Sequence, residues 1–440
     1  MKLSSLRPYL FASVPVVLAA GLASHYLHAG LPPKAPAASA GAGDWPGFRG
    51  ASNGNALALP VANPQKIQIK NLWKVPTPDG FGSFAVSGRQ AFTIVDREND
   101  GNKGETLIAV DITNGKEQWA QPLCLCNHKG GGESGTPDNK GGDGPRSTPT
   151  FNEGKVYVTD SNLLVHCFDA KDGKEVWKHD VVKENSGKNI TWDNAASPVI
   201  DGGLVLLCGG GKGQALLGLD KLTGAVKWKG EDDGMTHATP ILTDLLGTHQ
   251  CIFFTQTGLV SVEPQTGKVL WRAPFPYKVS TAASPVVYED IVYCSAGYGV
   301  GAGAFKIAKN GSSFTATPLW RRENECFNHW STPVVKDGYL YGMFSFKEYG
   351  KGPLACVDIK TGKDVWKQAG FGPGQVILSG DVVVAMSDKG EVVFVKTNSA
   401  SYEELKREQI IKGKVWSYPV LAYNHLFARS TVEGGCWELK

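Results

Sequence analysis

The chain has 440 residues, 42% of them hydrophobic, with 45 basic against 42 acidic side chains and a net charge of +3. That is ample for a buried core, while the near balance of charge argues against a nucleic-acid-binding surface, which needs a larger or clustered basic excess. Nine cysteines, an odd number without framework spacing, argue against a disulfide scaffold.

Residues 1–30 read as a signal peptide or membrane anchor. Lys2 and Arg7 precede an apolar run over 9–23, and small residues follow, the pattern of a secretory signal. The run is short for a spanning helix, which needs about 20 apolar residues, and Pro15 interrupts it. The expected location is therefore exported, periplasmic or otherwise extracytoplasmic, with an inner-membrane tether as the alternative. No cysteine precedes Cys124, so a lipid-modified N-terminal cysteine is not expected. Residues 31–43 form a Pro/Ala/Gly linker, and the folded part spans 44–440, opening with Asp44-Trp-Pro-Gly-Phe-Arg-Gly50.

From there one unit recurs. It begins with a small residue and Pro, and continues through alternating apolar runs separated by short turns. Its third run ends at an acid, a Thr-Gly turn follows, and a fourth run carries a Trp. The frame acid-x3-Gly-x3-Trp appears as Asp111/Gly115/Trp119, Asp169/Gly173/Trp177, Asp220/Gly224/Trp228, Glu263/Gly267/Trp271 and Asp358/Gly362/Trp366. Period-2 runs bounded by Gly, Asp and Pro are strands joined by tight turns. Each unit thus predicts a four-stranded antiparallel meander, and recurrence at this period means a repeat architecture.

Unit starts fall at Ser83, Ser147, Ala196, Ala238, Ala283, Ser331, Gly374 and Ser417, which makes eight. Fourth strands are expected to end at Trp119, Trp177, Trp228, Trp271, Trp320 and Trp366. The seventh has a degenerate fourth strand near 408–411 without a Trp. The eighth unit stops at Lys440, where its own Trp strand should begin, while an orphan Trp strand lies around Trp73. An N-terminal strand that completes the last unit closes a ring and removes exposed strand edges. The expected fold is therefore all-β, an eight-bladed β-propeller. The recurrent Trp residues are expected to pack blade on blade, and the strand cysteines to act as small buried hydrophobes.

Asp-x-x-Thr-Gly-Lys-x-x-Trp, with Ser/Ala-Thr/Ser-Pro at each blade start, resembles the pyrroloquinoline-quinone-like (PQQ-like) repeat family of eight-bladed propellers. Two occupations are implied. Dehydrogenase members hold PQQ with calcium over the ring and use an Asp base. Scaffold members hold no cofactor and bind protein partners through blade loops. The adjacent Cys-Cys pair of the dehydrogenases is absent; Cys124-Leu-Cys126 is the nearest approach. No calcium-ligand segment matches. The resemblance therefore points to a non-catalytic scaffold binding a protein or small ligand at its top face. The alternative is a small quinoprotein-type oxidoreductase acting on an alcohol or sugar, with Asp193 as base and Trp330 as stacking wall.

Ligand sites of propellers gather where fourth strands lead into the next blade, and the longest such loops here are 120–145 and 178–194. Counting three residues back from each blade's Pro position gives Gly80, Arg146, Ala195, His237, Ala282, Trp330, Gly372 and Trp416, small and large in alternation. Tapered packing explains the alternation. A pocket explains it too, with Arg146 and His237 supplying polarity, Trp330 and Trp416 flat walls, and Trp192, Asp193 and His329 as neighbours. Cys124-x-Cys126-x-His128, with Cys326 and His329, offers zinc or copper chemistry, but the spacing matches no metal pattern and no metal is expected. Gly209-Gly-Gly-Lys-Gly213 and Gly297-Tyr-Gly-Val-Gly301 lead into strands rather than helices, so neither cradles a phosphate.

Overall fold

The computed structural model describes residues 43–56, 58–59, 63–99, 101–125 and 144–440. The expected leader, nearly all of the expected linker, and Cys126 and His128 lie outside the described residues. Among those described, no helix is long and apolar enough to cross a membrane.

Eight sheets follow one another in chain order, antiparallel except where Asn55–Ala56 pairs in parallel with Gln375–Ser379 as a fifth strand of blade 7. Blade 2 is representative, with strands Thr150–Asn152, Lys155–Thr159, Leu164–Asp169 and Glu175–Asp180. Blade 8 takes its outer strand, Ile69–Pro76, from the other end of the chain. That strand runs antiparallel to Glu433–Leu439, with Ile69 opposite Leu439 and Trp73 opposite Cys436, so the ring closes as the orphan Trp strand predicts. The fourth strand of blade 7 is Glu404–Gln409, slightly earlier than expected. The strand cysteines are buried, and burial pushes the thiols of Cys167, Cys208, Cys356 and Cys436 up to about 12.

The repeat has a physical cause. In blade 3 the Gly224 amide donates to the Asp220 carbonyl at 2.8 Å, and Asp220 Oδ1 accepts the Leu222 amide at 2.9 Å. This acid-capped turn holds Gly224 at φ +75°, left-handed backbone that favours glycine. Over that glycine lies the indole of the preceding blade: a Cβ built on Gly224 would sit 2.6 Å from Trp177 Cε3. Trp177 Nε1 then donates to the Lys221 carbonyl inside the same turn at 3.0 Å. The same dock recurs for Trp73 on Ile112, Trp119 on Ala170, Trp228 on Pro264 and Trp320 on Ile359, while Trp366 donates to the Asn398 carbonyl of a blade 7 turn without the acid-x3-Gly frame. Blade 5 lacks the acid-Gly turn, and Trp271 of blade 4 instead donates to Gln250 Oε1 of its own blade at 2.8 Å.

One expectation is corrected: the Trp residues do not end the fourth strands. Trp119 lies early in Glu117–Leu125 and Trp366 at the middle of Asp364–Gln368. A register shift just before Trp73 and Trp177 skips the preceding residue, as a β-bulge does. Leu72 and Val176 are thereby turned outward and stand exposed.

Residues 43–56 run across one end of the ring. Trp45 and Val86 of blade 1 exchange amide–carbonyl bonds of 2.8 and 2.7 Å. The Pro46 carbonyl accepts the Phe151 amide of blade 2 at 2.6 Å, and the Gly54 carbonyl accepts the Leu378 amide of blade 7 at 2.8 Å. Arg49 Nη2 donates to the Pro333 carbonyl before blade 6 at 2.9 Å, and Asn53 Nδ2 to the Leu242 carbonyl of blade 4 at 3.0 Å. The opening heptapeptide is thus a strap across the end of the channel.

Candidate functional site

Around the channel the blade-start hydroxyls form a linked ring. Thr148 Oγ1 accepts the Ser83 amide, Ser197 Oγ the Thr148 amide, and Thr239 Oγ1 the Ser197 amide, each at 2.9 Å. This explains the Ser/Thr-Pro starts: the hydroxyl ties one blade to the next and the proline needs no amide partner. Across the ring, the Tyr418 hydroxyl accepts the Thr332 amide at 2.6 Å.

Above this ring lies a cavity of about 380 Å³. Its floor includes Tyr418 and Phe48 of the strap, which pack edge to face at 5.2 Å. Phe48 also lines a smaller cavity of about 100 Å³ with other strap residues, so it partitions the channel. The strap thus contributes Phe48 to the linings of both cavities.

Of the residues expected at the mouth, Arg146, Trp192, His237, His329, Trp330 and Trp416 all line this cavity. Asp193 does not. Trp192 and Asp193 both have left-handed backbone, at φ +70° and +63°. The Trp192 carbonyl accepts Arg146 Nη1 at 2.5 Å.

The alternating row needs correction at two blades. The first hairpins set the equivalence: Asn152 pairs Lys155 in blade 2, Ser87 pairs Gln90 in blade 1, and Ser379 pairs Val382 in blade 7. Counting back from these pairs, the counterparts of Arg146 are Phe81 and Pro373, not Gly80 and Gly372. Phe81 lines the cavity, and Pro373 accepts Trp330 Nε1 at 3.0 Å. Blades 1 and 7 carry Phe84 and Val376 where the others carry Pro, so the sequence offers no anchor there. Strict small–large alternation therefore fails at blade 1.

Aromatic rings form a belt. Phe81 packs on Trp416 at 4.6 Å, Trp416 on Trp330 at 4.4 Å, and Trp330 on His329 at 4.7 Å. His329 meets Tyr298 edge to face at 5.1 Å, and Tyr298 stacks with Trp192 at 6.3 Å. Tyr298, Lys347 and Tyr349 come from connections between second and third strands and were missed from the sequence; Tyr298 belongs to the glycine-rich stretch set aside as a phosphate loop.

Both histidines are buried, His237 with 5% and His329 with 7% of its surface exposed. Burial, then the Arg146 charge, lowers His237 to about 3, against a smaller opposite pull from the Thr191 and Asp193 carbonyls. Burial, then His237 and Lys347, lowers His329 to about 3. Both are neutral imidazoles at neutral pH. His237 Nδ1 shares a hydrogen bond with Ser280 Oγ at 2.8 Å, while its Nε2 makes none. The buried Trp416 Nε1 and Gln375 Oε1 also lack partners.

Calcium-held PQQ does not fit this cavity. Calcium takes about six to eight oxygen ligands, carboxylates prominent among them, and among the described residues no Asp, Glu or Cys lines the cavity. The described lining also gives an oxidation no carboxylate base. Among the described residues no group of three or more His, Cys, Asp or Glu could hold a metal ion. Cys326 lies outside the cavity lining, and burial pushes its thiol up to about 12.

A closed repeat propeller with a strapped channel and an aromatic, cationic mouth defines the class of protein. The family model described as outer membrane protein assembly factor BamB matches residues 103–368, more than half of the chain, and the chain belongs to that family. It is 25% identical over 270 residues to the outer membrane protein assembly factor BamB of Burkholderia pseudomallei (strain K96243), a match covering 60% of this chain and 66% of that relative, just under two thirds of its length. The fold is similar to that of BamB from Moraxella catarrhalis, with a TM-score of 0.57 at 12% identity over 84% of this chain and 100% of the other. It is also similar to quinohemoprotein alcohol dehydrogenase from Comamonas testosteroni, with a TM-score of 0.61 at 13% identity over 90% and 80%. At these identities the structural likenesses speak for the fold alone.

Proposed function

We propose that this chain is an exported, non-catalytic scaffold of the cell envelope that binds a protein partner during outer-membrane protein assembly. Membership of the family described as an outer membrane protein assembly factor carries this reading. An envelope location suits the leader-like residues 1–30. The surface offered to a partner is the mouth side, where the blade 6 connection over 345–353 presents the exposed Lys347, Glu348 and Lys351 beside the aromatic belt.

The test is photo-cross-linking in the native host, with Glu348 and Lys351 replaced one at a time by a photoreactive phenylalanine. The expected result is an adduct with one envelope protein, together with lowered levels of outer-membrane barrel proteins when the gene is deleted. Unchanged barrel-protein levels and no adduct from either position would defeat the proposal.

A further inference from the structure

We infer that the strap builds a small-anion site at its own end of the channel, where Arg49 takes a monovalent anion of the size of a short carboxylate or a halide. This goes beyond the scaffold reading and does not rest on it. Arg49 is 2% exposed. Its side chain makes one hydrogen bond, from Nη2 to the Pro333 carbonyl at 2.9 Å, and its buried Nε makes none. The guanidinium carbon lies 5.7 Å from the Tyr418 ring centroid, and among the described residues no carboxylate pairs with it. Burial pulls its pKa down and only the Tyr418 phenol pulls it back, yet an arginine keeps its charge in a protein. A buried ion without a counter-charge is heavily penalised. The side chain is also held in place: a Cβ on Gly54 would stand 2.6 Å from Arg49 Nη2 and 3.1 Å from Nε, so the strap's own backbone covers the guanidinium.

Arg49 lines the smaller cavity, of about 100 Å³, and is the one charged side chain among its described lining residues. Two neutral donors line the same space. Asn53 Nδ2 gives one N–H to the Leu242 carbonyl and has a second to give. The Thr239 hydroxyl accepts the Ser197 amide and keeps its own proton for another partner. Size limits the occupant. A single water needs about 10–15 Å³ of cavity, and ordinary ligand pockets begin near about 300 Å³, so an ion of a few atoms fits and a metabolite-sized ligand does not. Charge limits it further: a dianion would bury a second negative charge opposite a single cation. The guanidinium fork matches a carboxylate, and Phe151, Ile200 and Leu242 give the cavity apolar walls that accept a methyl group. Formate and acetate meet each requirement, and chloride meets those of charge and size.

The test uses the full chain exchanged exhaustively into gluconate buffer. Formate, acetate, chloride, sulfate and benzoate are titrated in turn at constant ionic strength, so that screening stays fixed, and are followed by calorimetry and thermal unfolding. Formate, acetate or chloride is expected to bind saturably at one site and to raise Tm, as a ligand of the native state does; the tightest of the three names the occupant. Sulfate and benzoate are expected to bind about tenfold or more weaker. Arg49→Gln should weaken the monovalent anion about tenfold or more, whereas Arg89→Gln, which removes an exposed arginine, should bind it as the wild type does. Ile200→Phe fills the cavity with Arg49 still in place and should also abolish binding, which keeps the test decisive if Arg49→Gln does not fold. No saturable binding of any of the three monovalent anions, sulfate or benzoate binding as tightly as acetate, or undiminished binding by folded Arg49→Gln or Ile200→Phe would each overturn the assignment. The outcome is independent of the cross-linking result, so either reading can fail without the other.

Discussion

Gly224→Ala tests the account of how the blades are joined, and Gly154→Ala is its control. The two glycines have nearly the same backbone, φ +75° and +76°. They differ in what surrounds them: a Cβ at Gly154 meets nothing within 4 Å, whereas one at Gly224 meets Trp177 Cε3 at 2.6 Å and Cδ2 at 2.9 Å. The control therefore carries only the cost of an alanine in left-handed backbone, about 1–2 kcal/mol. At Gly224 two further costs add. Carbon atoms rest at about 3.5–4.0 Å, so the indole must withdraw by roughly 1 Å, an overpacking cost of about 1–3 kcal/mol. Withdrawal also strains the Trp177 Nε1 bond to Lys221, worth about 1 kcal/mol. Gly224→Ala should thus destabilise by about 2–4 kcal/mol more than Gly154→Ala. Urea unfolding followed by tryptophan fluorescence measures the difference. In a Trp177→Leu background it should shrink to a few tenths of a kcal/mol, because the colliding ring is gone. If the two alanine variants match within about 0.5 kcal/mol in the wild-type background, the glycine is not held by the indole and the reasoning is wrong.

Gln250→Leu should cost about 2–4 kcal/mol, since Gln250 is fully buried and its Oε1 accepts both Trp271 Nε1 and Ser261 Oγ, leaving two buried donors unsatisfied; adding Trp271→Phe should recover part of that loss in thermal unfolding. The pH dependence follows from His237 and His329, both lowered to about 3 from about 6.5 in an unfolded chain. Their neutral forms are favoured by the fold, so that contribution is complete above pH 6.5 and is lost as pH falls towards 3. The loss is up to about 1.4 kcal/mol per pH unit for each histidine. The double variant His237→Gln/His329→Gln should therefore show a stability slope between pH 4 and 6 that is shallower by about two protons, and identical slopes would contradict the burial argument.

The ring was legible because its joint is a chemical necessity repeated in register. Asp220-x3-Gly224-x3-Trp228 supplies an acid to cap a turn, a residue tolerant of positive φ, and a ring to lie on the next glycine, so the three recur together at fixed spacing. Closure was legible from Trp73 for the same reason. The mouth was less so. Arg146, His237, Trp330 and Trp416 were found by counting from a Pro, but the count slipped by one at Phe81 and Pro373, where Phe84 and Val376 stand in the proline's place. Tyr298, Lys347 and Tyr349 reach the cavity from connections that share no motif, and nothing local distinguishes them from solvent-facing loop. Phe48 was visible as part of a landmark, yet its place on the cavity floor depends on how the strap crosses the ring, a long-range fact that no spacing encodes.

The closing strand has a consequence for how the molecule is made. Asn71 Nδ2 bonds the Cys436 carbonyl 365 residues later, and the strap's Gly54 waits for Leu378. The stretch over 43–76 precedes the blades in the chain and bonds blades 1 and 2, but blade 8 cannot be completed and the channel cannot be strapped until the rest of the chain exists. Pairing over such sequence distances slows folding, and until it happens both the Ile69–Pro76 strand and the Glu433–Leu439 edge stand unpaired, open to any other strand. The chain therefore carries, in every molecule that folds, an interval in which its two ends are sticky, and a holding factor that covers one of them would raise yield without touching the finished ring.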